Sequence, residues 1–328
     1  MCKLLINLRL RFPIYFTRRI GMAGKLARFV AVRKSSNRDQ ENVLYVLRAG
    51  VIILVGVLYW NAAIRQTYID ILWFWLKTKY WYQTVYNETI AVQLYSFVAM
   101  VPFRVMNYFK IGTKYKINNA GNYENTPVVD ILLEAFEYSW PLVILDTFHV
   151  KKYGGVSGAL LNRRRQDWIQ VTRQLPEDPP LLGDMVRHLV VGLVLYDVAF
   201  FLQHFTFHKI PTLYRLFHKK HHTHTSVNVK VTNRLHVIER ILLVLSANFG
   251  LWIQGAHPLT RSVFIVVFIS MLIENHCGFD FPYSYDKILP DGLVGGSRRH
   301  CEHHHNGNKN YQPIFTYIDA LMDWMKRK

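Results

Sequence analysis

The stretch MVRHLVVGLVLYDVAFFLQHFTFH, residues 185–208, decides how this chain is read. Residues 185–203 are apolar enough to cross a bilayer of about 30 Å, with Asp197 inside them. Read as one long helix, the stretch ends by delivering His204 and His208. Positions four apart share a helical face, with Cβ atoms about 5–6 Å from each other, so both imidazoles can meet one metal ion. Working outward, thirteen of the 15 histidines fall between His204 and His305. Eight of these form three boxes: His204-x-x-x-His208, His218-x-x-His221-His222 and His300-x-x-His303-His304. A structural zinc closed by four ligands cannot use eight. The pattern calls for two metals.

The remaining apolar residues also come in runs. Residues 43–64 (VLYVLRAGVIILVGVLYWNAAI) and 89–109 (TIAVQLYSFVAMVPFRVMNYF) are two further candidate spans, the second carrying Pro102 and Arg104. Residues 127–148 carry Asp130, Glu134, Glu137 and Asp146 and suit a helix in the interface or against protein better than one facing lipid. Residues 241–253 and 259–273 are each short for a crossing and read as a buried or membrane-dipping hairpin, separated by Gly255 and Pro258, whose far end brings in His276. The second box is expected on a helix over Thr212–Thr223, with its three histidines on one face. The third is expected on a helix starting near Ser297. The fold expected is all-α: a multi-pass helical membrane protein with a cytosol-facing, histidine-rich di-metal domain. The parts are a basic tail (1–42), membrane helices and connector (43–184), and a catalytic region (185–323). The topology does not close, because a full crossing by 185–203 puts the basic connector on the side opposite the boxes.

The net charge of +18 goes with no nucleic-acid recognition motif, and no nucleic-acid partner is expected. Contact with an anionic membrane surface explains it better. The first 38 residues hold ten Lys or Arg and no acid, which puts them in the cytosol by the positive-inside rule; an Arg-rich organelle transit segment is the rival reading, and Met22 a possible alternative start. Three cysteines (Cys2, Cys277, Cys301) imply no disulfide framework, and the latter two read as small filler. Asn87-Glu88-Thr89 is a glycosylation sequon too near a span to be used.

Imidazole suits iron, zinc and copper, and an open redox metal in a membrane enzyme favours iron, two per chain, with O₂ as co-substrate. Ligating histidines hand their other N–H to an acceptor. Asp197, Glu239, Glu274, Asp280, Glu302 and Asp319 are candidates for that role. His276 is expected as a ninth ligand, and His236 as either a tenth or a supporting group. His149, His188, His224, His257 and His305 are read as surface or packing residues.

HFTFH, HKKHH and HCEHH resemble the three histidine boxes of the membrane-bound fatty acid hydroxylase and sterol desaturase superfamily. YRLFHKKHHTHTS, GAHPLT, ENHCGFDFPYS, LPDGLVGG and YQPIFTYIDALM look most like its cholesterol 25-hydroxylase branch, across residues 185–323. AMVPF and KYKI add a fainter likeness earlier in the chain. The resemblance implies a non-haem di-iron monooxygenase of the endoplasmic reticulum membrane, acting on sterols or other long lipids. Electrons would come from NAD(P)H through a membrane cytochrome and reductase. It also implies iron ligation by His204, His208, His218, His221, His222, His276, His300, His303 and His304. One departure is the run Leu235–Glu239, similar to the His-Pro-x-Glu segment of sterol methyl oxidases with Val237 in place of Pro, which keeps a sterol desaturase or C-4 methyl oxidase as the alternative. A non-catalytic zinc-binding membrane protein is the competing class; its polar residues should recur along several spans, and here the histidines cluster at helix ends.

Overall fold

The computed structural model describes residues 38–60, 62–117, 128–223 and 227–327. Nearly all of the expected basic tail, with Cys2 and Met22, lies outside the described residues, as does His224. The principal elements are α1 (Arg38–Trp60), α2 (Ala62–Leu76), α3 (Asn87–Tyr108), α4 (Val128–Phe148), α5 (Leu182–Lys209), α6 (Val237–Ile253), α7 (Pro258–Asn275), α8 (Ser297–Asn306) and α9 (Tyr317–Lys326). Among the described residues, extended pairing is limited to isolated bridges such as Lys116 with Phe279 and Val294 with Phe315. The chain is an all-α, multi-pass architecture.

Among the described residues, three helices are long and apolar enough to cross a membrane: α3, α5 and α7. The first two match the expected spans. The third corrects the expectation of a short hairpin arm, because Pro258 starts the helix at its first turn, where a missing N–H costs nothing, and the helix continues past Glu274 to Asn275. The expected span at 43–64 lies only partly within the described residues. The described apolar part of α1, Asn42–Leu54, is shorter than a crossing. Within it, Arg48 is buried, donating to Lys287 O and to Asp291 Oδ1 at 2.7 and 2.8 Å.

Contacts along the helices fix their relative directions. Arg261 at the start of α7 meets Glu88 at the start of α3, Tyr95 Oη lies 2.6 Å from Ser270 Oγ midway, and Ile117 N donates to Gly278 O beyond their ends. These two helices therefore run parallel. α4 runs against them: Thr89 donates to Asp146 near the end of α4, and Tyr138 in its first half meets Asn233 just before α6. α5 and α6 are antiparallel, crossing closely where Gly192 faces Gly250. A Cβ on Gly250 would stand 2.9 Å from Gly192 O, so only glycine permits the approach. Helices α3 to α7 thus alternate in direction. All three histidine boxes lie at one end of the bundle, and the 149–181 connector lies at the other.

Two cations of the basic connector, Lys151 and Arg173, are matched by buried acids of the helices. Glu88 accepts from Arg261 Nε and Nη2 at 2.9 and 2.7 Å, from Arg173 at 3.2 Å and from the Tyr153 hydroxyl at 3.1 Å. Lys151 bridges Asp146 and Glu88 at 2.9 and 3.5 Å. Asn87, the sequon residue, is buried and accepts from Arg173, which is incompatible with a glycan on its amide in this fold. The core above this network stacks Tyr196 edge-on to Phe268 at 4.5 Å, with Met100, Leu251, Phe264 and Ile273 around them. Glu88→Ala would strand Arg261 and Arg173 as buried, unmatched charges, an expected cost of roughly 3–5 kcal/mol. Thermal unfolding in mild detergent measures it, and an unchanged midpoint contradicts the network's role.

Candidate metal centre

The end of α5 delivers His204 and His208 one turn apart, as the spacing required. The second box departs from expectation. Pro211 opens a single turn, Tyr214–His218 form a wide π turn, and His221–Thr223 a tight 3₁₀ turn. No regular helix carries all three rings on one face. The consequence is a division of labour: His218 and His222 join His204 and His208, while His221 turns to the other side. The third box, on α8 as expected, divides in the opposite sense. His300 and His304 go with His221 and His276, and His303 joins the first set. Each His-x-x-His-His box therefore gives an i, i+4 pair to one set and its i+3 ring to the other.

The two sets are His204, His208, His218, His222 and His303, and His221, His276, His300 and His304; the nearest nitrogens within each lie within 4.8 Å of one another. They adjoin, with His222 and His304 stacked at 4.6 Å between ring centroids. The structure thus brings together the nine histidines singled out in the sequence.

Four rings are aimed by acceptors on their outer nitrogens. His204 Nδ1 donates to Tyr311 O at 2.7 Å, His303 Nδ1 to Lys309 O at 2.7 Å and His276 Nδ1 to Leu272 O at 2.8 Å. His218 Nδ1 lies 2.6 Å from Glu239 Oε1. Because a carbonyl only accepts, the proton of each of the first three rings is on Nδ1, and the Nε2 lone pair is left free. The Nε2 atoms of His204, His222 and His303 are buried without a hydrogen-bond partner. Elsewhere Nε2 atoms meet each other, 2.9 Å between His208 and His218 and 2.9 Å between His276 and His300. At His204 and His303 a buried Nε2 lone pair faces the cluster with no proton donor, which a divalent metal satisfies. Burial, reinforced by neighbouring imidazoles, holds His222 at about 3, and His221, His300 and His304 well below the usual imidazole range; burial also lowers His276 and His303 to about 4. The rings are neutral near pH 7, the form that binds metal.

The carboxylates fall out differently. Glu239 alone among the candidates makes a hydrogen bond to one of the nine rings. Asp197 takes Ile314 N at 2.9 Å, Phe315 N at 3.0 Å and the Gln312 amide. Asp319 takes Tyr311 N, Gln312 N and Arg299 Nη2, each at 3.0 Å. Together they clamp the segment whose carbonyls hold His204 and His303. Asn310, at φ 58°, makes the turn between those two carbonyls. Sequence reasoning missed this turn, although the run Asn306-Gly-Asn-Lys-Asn310 advertises one. Glu274 accepts from Tyr285 N at 2.9 Å, Asp280 pairs with Arg298, and Glu302 with Lys309. His236 is corrected from a possible ligand to the N-cap of α6, accepting from Ile238 N at 3.2 Å. His257 caps α7 in the same way, His188 lies against Arg187, and His149 and His305 are exposed. Cys277 and Cys301 are buried free thiols, pushed up by burial, Cys277 to about 12, as filler residues would be.

A cavity of about 760 Å³ runs between α3, α4, α5, α6 and α7. Its wall includes Phe264, Phe268 and Leu243, and it reaches Gln203, next to His204, and Leu272, whose carbonyl holds His276. It passes along α6 from Arg240 to Trp252, about 18 Å at the helical rise.

Residues 189–323 match the family model for fatty acid hydroxylase. The chain is 35% identical over 159 residues to cholesterol 25-hydroxylases of Rattus norvegicus and Homo sapiens, 48% of this chain and 53% and 58% of theirs. A cholesterol 25-hydroxylase-like protein of Danio rerio is 37% identical over 147 residues, 45% of this chain and 58% of that one. The chain thus spans just over half the length of these relatives. No solved structure matches significantly. Over residues 189–323 the chain is thus similar to the fatty acid hydroxylase family.

Removing the carboxylate from His218 should loosen its ring. Glu239→Ala is expected to weaken metal retention about 10–100-fold against a competing chelator, with membrane insertion unchanged. Equal retention by variant and parent contradicts the orienting role.

Proposed function

We propose that this chain is a membrane-bound, O₂-dependent di-iron monooxygenase that hydroxylates a sterol or similar lipid, in the manner of a cholesterol 25-hydroxylase. The observation that carries the reading is the pair of adjoining imidazole sets, nine rings in all, near one end of an apolar cavity between membrane-length helices. His204, His208, His218, His222 and His303 would hold one iron, and His221, His276, His300 and His304 the other. The donor set fits, being neutral nitrogens with unshared pairs facing inward. When bound, the iron pair would supply O₂-dependent attack on an unactivated C–H bond.

The chain's own contribution is positioning and exclusion. Glu239 and the carbonyls of Tyr311, Lys309 and Leu272 keep the rings from swinging. Phe264, Phe268 and Leu243 give a lipid an apolar bed and keep water from the reacting carbon. The cavity volume falls in the range usual for small-molecule sites, about 300–1,000 Å³. In this reading the histidine end faces the cytosol from the endoplasmic reticulum membrane. A membrane cytochrome and an NAD(P)H-dependent reductase deliver electrons there. Desaturation or C-4 methyl oxidation begins with the same hydrogen abstraction and would use the same residues.

The test is the lipid profile of sterol-producing cells expressing the chain beside a His222→Ala control. An oxygenated sterol is expected with the parent chain and a fall to background with the variant, at equal membrane-inserted protein. A desaturated product would move the assignment to the alternative chemistry. Retained product in His222→Ala contradicts the ligand assignment.

A further inference from the structure

The cavity has a polar lining at both ends, and hydrogen-bond accounting separates them. At the end remote from the histidines, Glu88, Asp146, Lys151 and Arg261 satisfy one another. At the histidine end the account does not balance. Arg240 is 3% exposed and lines the cavity, yet only its Nη2 is used, donating to Asn233 O at 2.9 Å. Its Nε and Nη1 are buried without an acceptor, and so is the hydroxyl of Thr232 in the same wall. The guanidinium lies over the Tyr138 ring, 3.0 Å from its centroid, which fixes its plane but satisfies neither N–H in that plane. Buried guanidinium donors left unpaired in an apolar wall are costly unless a ligand completes them. The preceding residue, Glu239, holds His218, so this vacancy in the hydrogen bonding lies next to the metal centre.

We propose that Arg240, with Thr232, receives an oxygen atom carried by the lipid at the histidine end of the cavity. The proposal rests on reading the cavity as a lipid site and adds to it the residues that fix how the lipid lies. Two oxygens share this chemistry: the hydroxyl already on a sterol entering head first, and the hydroxyl newly installed on one entering tail first. Either is a neutral acceptor that a guanidinium N–H pair binds strongly.

The test is equilibrium sterol binding to the full-length chain purified in mild detergent, comparing cholesterol, 5-cholestene (which lacks the hydroxyl) and 25-hydroxycholesterol. Parent protein is expected to prefer cholesterol over 5-cholestene, or 25-hydroxycholesterol over cholesterol, by at least about tenfold, the scale of a hydrogen bond to a charged group. The first preference assigns the head hydroxyl, and the second the new one. Arg240→Met should bring the operative preference close to one. Thr232→Val, a change that preserves volume, should reduce it and stands in if Arg240→Met fails to fold. The absence of either preference in the parent, or its persistence in both variants, overturns the proposal. Metal content of the same preparations reads the metal assignment separately. Normal metal with no sterol binding removes the lipid-oxygen site alone, and absent metal with intact sterol discrimination removes the metal reading alone.

Discussion

The centre depends on where four ring protons go. Once Tyr311 O, Lys309 O and Leu272 O take the Nδ1 protons of His204, His303 and His276, and Glu239 takes up the Nδ1 side of His218, the inner nitrogens can only offer lone pairs. Four such rings packed among five further imidazoles would set lone pairs against one another and leave their dipoles unmatched. A cation removes both costs. The surrounding bundle can be understood as the apparatus that keeps the acceptors in place. Asp197 inside α5 and Asp319 on α9 grip the 311–315 segment from two sides. An acid buried in an apolar helix is thereby repaid with backbone amides that would otherwise lack partners.

The same bundle explains why the centre sits beside a lipid-sized cavity. Alternating helices put the ends of α5 and α7 together, so His208 and His276 approach from different helices at one level. The close contact of Gly192 with Gly250 brings α5 and α6 together below them. Between α3, α4 and α6 the packing stays open. At the opposite end, Glu88 gathers Arg261, Arg173 and Lys151, tying the connector to α3 and α7.

Much of this was legible in the sequence. Apolar runs gave α3 and α5, the second ending in spaced histidines, and the boxes together with His276 gave all nine converging rings. The sequence did not show how the boxes divide, because helical spacing treats i, i+3 and i+4 as one face. The π and 3₁₀ turns between Tyr214 and Thr223 rotate His221 away from its neighbours. The same spacing on α8 sends His303 one way and its i, i+4 pair the other, which no periodicity argument anticipates. α7 was underestimated because the apolar run counted was 259–273, whereas the helix starts at Pro258 and runs through Glu274, whose carboxylate is bound by Tyr285 N. His236 looked like a ligand because its cap role depends on the start of α6. Arg240 gave no signal, since one basic residue among apolar ones is ordinary until its donors are counted.

The most direct test is metal quantification on the full-length chain purified from iron-replete cells in mild detergent, with X-ray absorption at the iron edge. The account predicts about two irons per chain in nitrogen-rich coordination. A single equivalent, or zinc filling both sets under iron-replete conditions, would contradict it.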